Sequence, residues 1–385
     1  MELSNICEYS SKRIDSSLLN VENYVSTENM MQNKGGITLA SKVPVENSVE
    51  FLPGDILISN IRPYFRKIWL SDKKGGCSSD VLCIRALPGT DSTYLYYLLS
   101  QDSFFDYVMS GAKGCKMPRG DKSQILRWDI DLPNLEEQHR IASILKSIDQ
   151  KIELNNRINH NLEQQAQALY KSWFVDFEPF KDGKFVNSEL GMIPEGWQVG
   201  NIYKYIDVIY GAPYKSSLFN ESKDGYPLVR IRDLKSFSPQ FYTTERLPQT
   251  ELVNSGDIVA GMDAEFIPCI WLGETGVLNQ RCCKFVGKSP NISNLYVLHL
   301  VKPELEYVQS YKTGTTVSHL GKSDIDKFMV IHPEEAIVHQ FSAICKPLFE
   351  EQIKCSAEIR QLTNLRDTLL PKLMSGELKI NDLTC

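Results

Sequence analysis

The sequence predicts an α+β chain: two duplicated, mainly-β heads with short helices, separated by a long antiparallel two-helix coiled coil, the whole pseudo-twofold. Three observations predict it. A seventeen-residue ribbon occurs twice, as "GDILISNIRPYFRKIWL" (54–70) and "GDIVAGMDAEFIPCIWL" (256–272), with the offset holding at 202 from Gly-Asp-Ile to Trp69 and Trp271. Each copy is followed by a polar stretch with a seven-residue apolar repeat. The chain has 385 residues, and single cores rarely grow past about 250–300 residues. The expected order is a first head over 1–133, a helix over 134–178, a second head over 179–333, and a helix and tail over 334–385.

In the first head, strand-like runs at Asp55–Ser59 and Val81–Ile84 alternate with turn-like "KKGG" and "LPGT". "STYLYYLLSQDSFFDYVM" (92–109) has helical spacing instead, through Tyr94, Tyr97, Leu98, Phe104, Phe105 and Val108. After Pro133, Asn134 is placed as an N-cap with Glu137 three residues on. Ile141, Ile148, Asn155, Leu162 and Leu169 then recur every seventh residue, interleaved with Leu145, Ile152, Asn159, Ala166 and Trp173. Eight of these ten are apolar, which is a coiled-coil seam.

The second head repeats the pattern. "SNLYVLHL" (293–300) answers "STYLYYLL" (92–99) at an offset near 202, so that Tyr94 matches Tyr296. The offset then slips to 200 and pairs Gly114 with Gly314, Lys122-Ser123 with Lys322-Ser323, Ile125 with Ile325, and Pro133 with Pro333. Asp257–Ala260 and Cys283–Val286 are its strand-like runs. The second seam keeps the same register: Phe341, Leu348, Cys355, Leu362 and Leu369, with Cys345, Gln352, Ile359, Arg366 and Leu373. Pro347 is expected to kink or restart this helix, and Pro371 and Gly376 to end it. The polar seam positions Asn155, Asn159, Gln352 and Arg366 are expected to fix register at a cost in stability. Packed antiparallel, a helix from 136 to 173 is roughly 55 Å long at about 1.5 Å per residue. It would hold two heads about one and a half DNA turns apart, at ~34 Å per turn.

Composition narrows the function. With 42% hydrophobic and 23% charged residues the chain is of ordinary globular type, and its net charge of −6 argues against a general nucleic-acid coat. The two heads match in charge, with 15 Lys/Arg against 16 Asp/Glu in 1–133 and 16 against 17 in 181–333. No apolar run reaches the ~18 residues of a membrane span, and "MELSNICEYS" lacks a basic-then-apolar leader, so a cytoplasmic protein without signal peptide is expected. Ten cysteines include no C-x-x-C pair and no His at metal-ligand spacing, which predicts reduced thiols and no metal. "GTTVSHLGKS" has six residues between Gly314 and Gly321 where a phosphate-binding P-loop needs four. "NIRPY" (60–64) falls short of an adenine-methyltransferase site, and no glycine-rich cofactor loop accompanies it. No catalytic constellation is expected.

"LPNLEEQHRIASILKSIDQKIELNNRINHNLEQQAQALYKSWFVDFEPF" (132–180) resembles the central helical region of type I restriction–modification specificity subunits. "SELGMIPEGWQVGNI" (188–202) resembles the opening of their second target-recognition domain, and "LTNLRDTLLPKLMSGEL" (362–378) their C-terminal helix. "GCKMPRGDKSQI" (114–125) and "GTTVSHLGKSDI" (314–325) resemble the loop that closes each recognition domain. The resemblance covers essentially the whole chain. It implies a non-catalytic subunit whose two domains each read half of a bipartite site on double-stranded DNA, with the helix pair as a ruler. It also implies two docked methylation subunits using S-adenosylmethionine, and separate motor-nuclease (restriction) subunits using ATP and Mg. No cofactor is expected in this chain itself.

On that reading the candidate readers lie in the ribbons and closing loops. In the first head these are Arg62, Tyr64, Arg66 and Lys67, with Lys113, Lys116, Arg119 and Lys122. Arg suits guanine or phosphate, and a Lys/Arg cluster between glycines suits phosphate. In the second head Asp263 and Glu265 are acceptors for cytosine N4, Asn279 and Gln280 adenine-type readers, and Arg281 a guanine or phosphate reader. Lys312, Thr315, Thr316, Ser318, His319 and Lys322 form the counterpart loop, and Arg230 and Arg232 are expected to share one strand face. A diverged DNA methyltransferase or nuclease, and a coiled-coil adaptor with protein-binding heads, are the competing readings.

Overall fold

The computed structural model describes residues 1–114, 116–312 and 318–379. The chain divides into two compact units: Met1–Ile152 together with the chain from Gln361 onward, and Glu153–Arg360. Each unit therefore unites one head with a stretch of both long helices, and the division between the units falls within the helices.

The first unit is built on two four-stranded sheets. One runs Cys7–Tyr9, Val81–Ala86, Ile56–Ser59, Ile68–Leu70 and is antiparallel throughout. The other runs Arg13–Ile14, Ser48–Phe51, Gly75–Cys77, Tyr24–Val25, with the last strand parallel. The expected helix over 92–109 is two, Ser92–Leu99 and Asp102–Ser110. Asp91 caps the first by accepting from the Tyr94 N–H at 2.7 Å, and the chain turns extended at Gln101 before Asp102. Their apolar faces put Tyr94, Leu95, Leu98, Phe104 and Phe105 into one core with Ile56, Ile58 and Ile84.

The second unit repeats the first sheet as Ile206–Tyr210, Cys282–Gly287, Ile258–Gly261, Cys269–Ile270. Its other main sheet has five strands, and its helix Asn294–Lys312 is continuous through Pro303. The ribbons differ in a way their sequences hide. Ile56 pairs with Leu70, whereas Ile258 pairs with Ile270, so the second hairpin is two residues shorter across the same strand position. Trp69 and Trp271, at a constant offset in sequence, are therefore two register positions apart. A shift of two keeps the face of a strand, and both indoles still pack on their sheet's inner cluster. The Gly-Asp opener is structural in both copies: Gly54 and Gly256 have φ of +90° and +103°, and Asp55 and Asp257 accept from the N–H groups of Leu52 and Asn254.

The long helices span Leu135–Phe174 and Glu335–Met374. Asn134 accepts from the Glu137 N–H at 3.0 Å, so the first begins where its cap predicts. In the first unit Ile141 and Leu145, from its opening turns, share a core with Leu370, Leu373 and Met374 from the closing turns of the other. In the second unit Ala166 and Phe174 pack with Val338, Phe341 and Cys345. The pair is antiparallel. The seam residues Ile141, Leu145, Ile148 and Phe341 are buried, and Ile152, Leu162, Leu169, Leu348, Ile359, Leu362 and Leu369 half-buried. Polar seam residues bond across it: Asn155 Nδ2 donates to Glu358 at 2.7 Å and Asn159 Nδ2 to Ser356 Oγ at 3.0 Å. Arg366 reaches Asp149 at 2.9 Å, and Asp149 also accepts from Tyr97.

The prolines behave differently from expectation. The second helix runs unbroken through Pro347 and continues past Pro371 to Met374. Both prolines sit on its exposed face, where water can satisfy the carbonyl each leaves unbonded. Gly376, at φ +72°, closes the turn that follows.

Candidate nucleic-acid interface

In both heads the ribbon tip is clasped to the closing loop through main-chain bonds. The Arg62 N–H donates to Pro118 O at 2.8 Å, and the Gly120 N–H to Asn60 O at 3.2 Å. In the second head the Ala264 N–H donates to Ser318 O at 3.0 Å, and the Leu320 N–H to Met262 O at 2.7 Å. Adding 202 in the ribbon and 200 in the loop turns one pair of bonds into the other. Ile61 bridges Arg119 as Asp263 bridges His319. Arg62 and Ala264 share a left-handed backbone, with φ of 51° and 62°. Such a conformation costs a non-glycine residue on the order of 1 kcal/mol or more, and here it turns the tip onto the loop.

The first head gathers its predicted cations around this clasp. Arg62 lies at 6.0 Å from the Phe65 ring, and its Nε is enclosed without an acceptor among the described residues. Tyr64 is exposed and edge-on to Phe65 at 4.6 Å. Lys116 is exposed, and Lys122 is exposed with its ammonium 6.0 Å from the Tyr9 ring. The others are engaged within the head. Arg66 pairs with Asp102 at 3.1 Å, Arg119 with Asp80 at 3.1 Å and Lys113 with Asp121 at 2.8 Å. Lys67 donates to Thr27 O at 2.6 Å, and burial, reinforced by Arg62, pushes its ammonium below the usual range. Asp121 is held down at about 2 by Lys113 and by the N–H groups of Gln124 and Ser123, which it caps.

In the second head the predicted readers form a network. Asp263 accepts from Arg281 at 2.7 Å and meets His319 Nδ1 at 2.6 Å, bringing ribbon, "NQR" and closing loop to one point. Glu265 pairs with Lys235 at 2.7 Å. Gln280 and Lys322 are exposed, while Lys312 is tied to Asp324 at 2.6 Å and to His319 O at 2.7 Å. Ser318 Oγ is enclosed without a partner among the described residues. Thr315 and Thr316 lie outside the described residues.

Two expectations are corrected. Arg230 and Arg232 share no strand face, because the strand ends at Val229 and Ile231–Asp233 is a 3-10 turn. Arg230 lies half-buried on Asp233 at 3.0 Å and over the Phe241 ring at 4.5 Å, which leaves only Arg232 exposed. Asn279 is buried, and its side-chain Oδ1 accepts from the Arg281 N–H at 3.1 Å, so it shapes the turn that presents Arg281. Sequence reasoning missed Asp80, Asp102 and Lys235, because lone charges far from their partners in the chain carry no periodic signal. Among the described residues no group of three His, Cys, Asp or Glu is gathered to hold a metal, and no helix is long and apolar enough to cross a membrane.

A constant main-chain clasp that presents different side chains in two copies defines a protein of paired recognition modules. The chain matches the family described as the type I restriction modification DNA specificity domain over residues 1–164 and 194–363, and it belongs to that family. It is 31% identical over 314 residues to the type I restriction enzyme MjaIX specificity subunit of Methanocaldococcus jannaschii, covering 77% of this chain and 71% of that one. It is 22% identical over 458 residues to the HindI specificity subunit of Haemophilus influenzae, covering 98% of each. Its fold is that of the type I restriction–modification S subunit from M. genitalium, with a TM-score of 0.60 at 14% identity over 97% of this chain and 95% of that one.

Proposed function

We propose that this chain is the DNA-reading subunit of a type I restriction–modification complex, each head recognising one half of a gapped, asymmetric site on double-stranded DNA. The observation that carries this reading is the clasp, repeated bond for bond with different side chains exposed around it. Arg62, Tyr64, Lys116 and Lys122 are the free readers of the first head. Arg232, Gln280 and Lys322 are those of the second, beside the Asp263–Arg281–His319 network and Glu265. Arg66, Lys113 and Arg119 are held by partly exposed ion pairs that a phosphate can replace.

The antiparallel helix pair sets the spacing of the half-sites and docks two methylation subunits. Those partners bind S-adenosylmethionine, and restriction subunits that join the complex bind ATP and Mg; this chain contributes no catalysis and works in the cytoplasm. Co-expression with the cognate methylation subunits, followed by mapping of methylated adenines on a sequenced genome, tests the reading. A gapped bipartite motif methylated on opposite strands supports it, and co-purification without any motif refutes DNA reading while leaving assembly. Exchanging residues 1–133 for the first head of another family member is expected to change one half-site only.

A further inference from the structure

The helix before each closing loop carries the same four residues in both heads, except one. "YVMS" (107–110) answers "YVQS" (307–310) at the offset of 200. Val108 and Val308 are both buried, and Ser110 and Ser310 each bond the carbonyl of Tyr107 and Tyr307 at 2.7 Å. Met109 and Gln309 are thus equivalent positions with different chemistry.

Gln309 bonds the second ribbon tip on both sides of Glu265. Its Nε2 donates to Ala264 O at 2.9 Å, and its Oε1 accepts from the Phe266 N–H at 2.8 Å. Glu265 lies between those two main-chain groups, and Asp263 lies immediately before them. The left-handed residue Ala264 is therefore gripped from two directions, by Ser318 O at its N–H and by Gln309 at its carbonyl. A methionine at this position makes neither bond. The first head braces its tip from elsewhere, with the N–H groups of Asn33 and Lys34 donating to Phe65 O and Arg66 O, both at 2.9 Å.

We infer that Gln309 is a positioning residue for sequence discrimination by the second head, holding the Asp263–Phe266 loop so that the two carboxylates meet base amino groups in one geometry. The inference rests on the proposed DNA-reading function. A reading group displaced by an ångström loses its directional bonds to base edges, while phosphate contacts, which tolerate such displacement, keep overall affinity. Loosening this loop therefore erodes specificity at one half-site and leaves non-specific binding in place.

The test uses the full chain in complex with its cognate methylation subunits and a pool of duplexes randomised across the site, sequenced after binding. Wild type is expected to select a bipartite motif; if it selects none, the DNA-reading function fails and not the role of Gln309. Given a motif, Gln309→Met is expected to flatten base preference in one half-site by on the order of tenfold. The other half-site and the salt slope stay unchanged, and the melting temperature falls only by the few degrees that two lost hydrogen bonds cost. Gln309→Glu keeps the bond from Phe266 and loses the one to Ala264, so an intermediate loss confined to the same half-site is expected. It also replaces Gln309→Met should that variant fail to fold. Base preferences unchanged in both variants, or lost equally in both half-sites, overturn the inference.

Discussion

Acidification is expected to destabilise the second unit through a single imidazole, His299. It is 7% exposed, tilted against Tyr170 at 5.2 Å between ring centroids, with Nε2 lacking any hydrogen-bond partner among the described residues. Burial, with Lys302 adding to it, pulls its pKa down from 6.5 to about 4. In this window the unfolded chain takes up a proton that the folded chain refuses. The stability is fully present above the unfolded value and is lost as pH falls from 6.5 toward 4. At about 1.4 kcal/mol per pKa unit the full effect is about 3 kcal/mol, of which about 2 kcal/mol is gone at pH ~5. His299→Phe fills the space with a ring that cannot be protonated. Urea unfolding of the full chain, read by pulsed hydrogen exchange in peptides from Asn294–Lys312, reports this unit alone. Between pH ~7.5 and ~5 wild type is expected to lose about 2 kcal/mol more than the variant. Equal losses in the two proteins would refute the reasoning, since every other titrating group is common to both.

Three further outcomes follow from the packing and charges. Phe341→Ala removes a fully buried ring surrounded by Tyr170, Trp173, Phe174 and Tyr296, and chemical denaturation is expected to show a loss of about 3–5 kcal/mol. Arg366→Met strips Asp149 of its cation while Tyr97 still donates to it. This is expected to cost about 2 kcal/mol, and Asp149→Asn in the same chain to recover part of that; strictly additive losses would mean the pair is not coupled. Lys116→Ala combined with Arg119→Ala is expected to weaken binding to all DNA sequences alike and to lower the slope of log affinity against log salt by about 2, measured by titration at several salt concentrations. A loss confined to one sequence would place these residues on bases instead.

The helices were legible because their signals are local. A cap at Asn134 and a seam at intervals of seven need only neighbouring residues, and none of the seam positions is exposed. The prolines misled because their effect depends on which side of the helix they occupy, and Pro347 and Pro371 face outward. The paired tryptophans misled for a different reason, since a two-residue slip in a hairpin preserves every inward face. Arg230 looked like part of a strand because alternation does not say where a strand stops. The candidate site was legible as segments but not as contacts. The clasp joins main-chain groups about sixty residues apart, and Gln309 reaches its loop from a different element again, so neither leaves a trace in sequence spacing.

The clasp has one more consequence. Its four bonds, two in each head, run from backbone to backbone, and in the second head the Asp263 side chain adds a contact to His319. Substitution at Ile61, Tyr64 or Glu265, which are not buried, leaves these main-chain bonds intact, whereas Asn60, Pro63, Met262 and Phe266 are buried and belong to the frame itself. The left-handed positions 62 and 264 exclude β-branched residues more strongly than others. Each tip thus works as a type slot in which letters can be swapped without recasting the press. A lineage can acquire a new address by point changes in one slot while the other continues to print the old half.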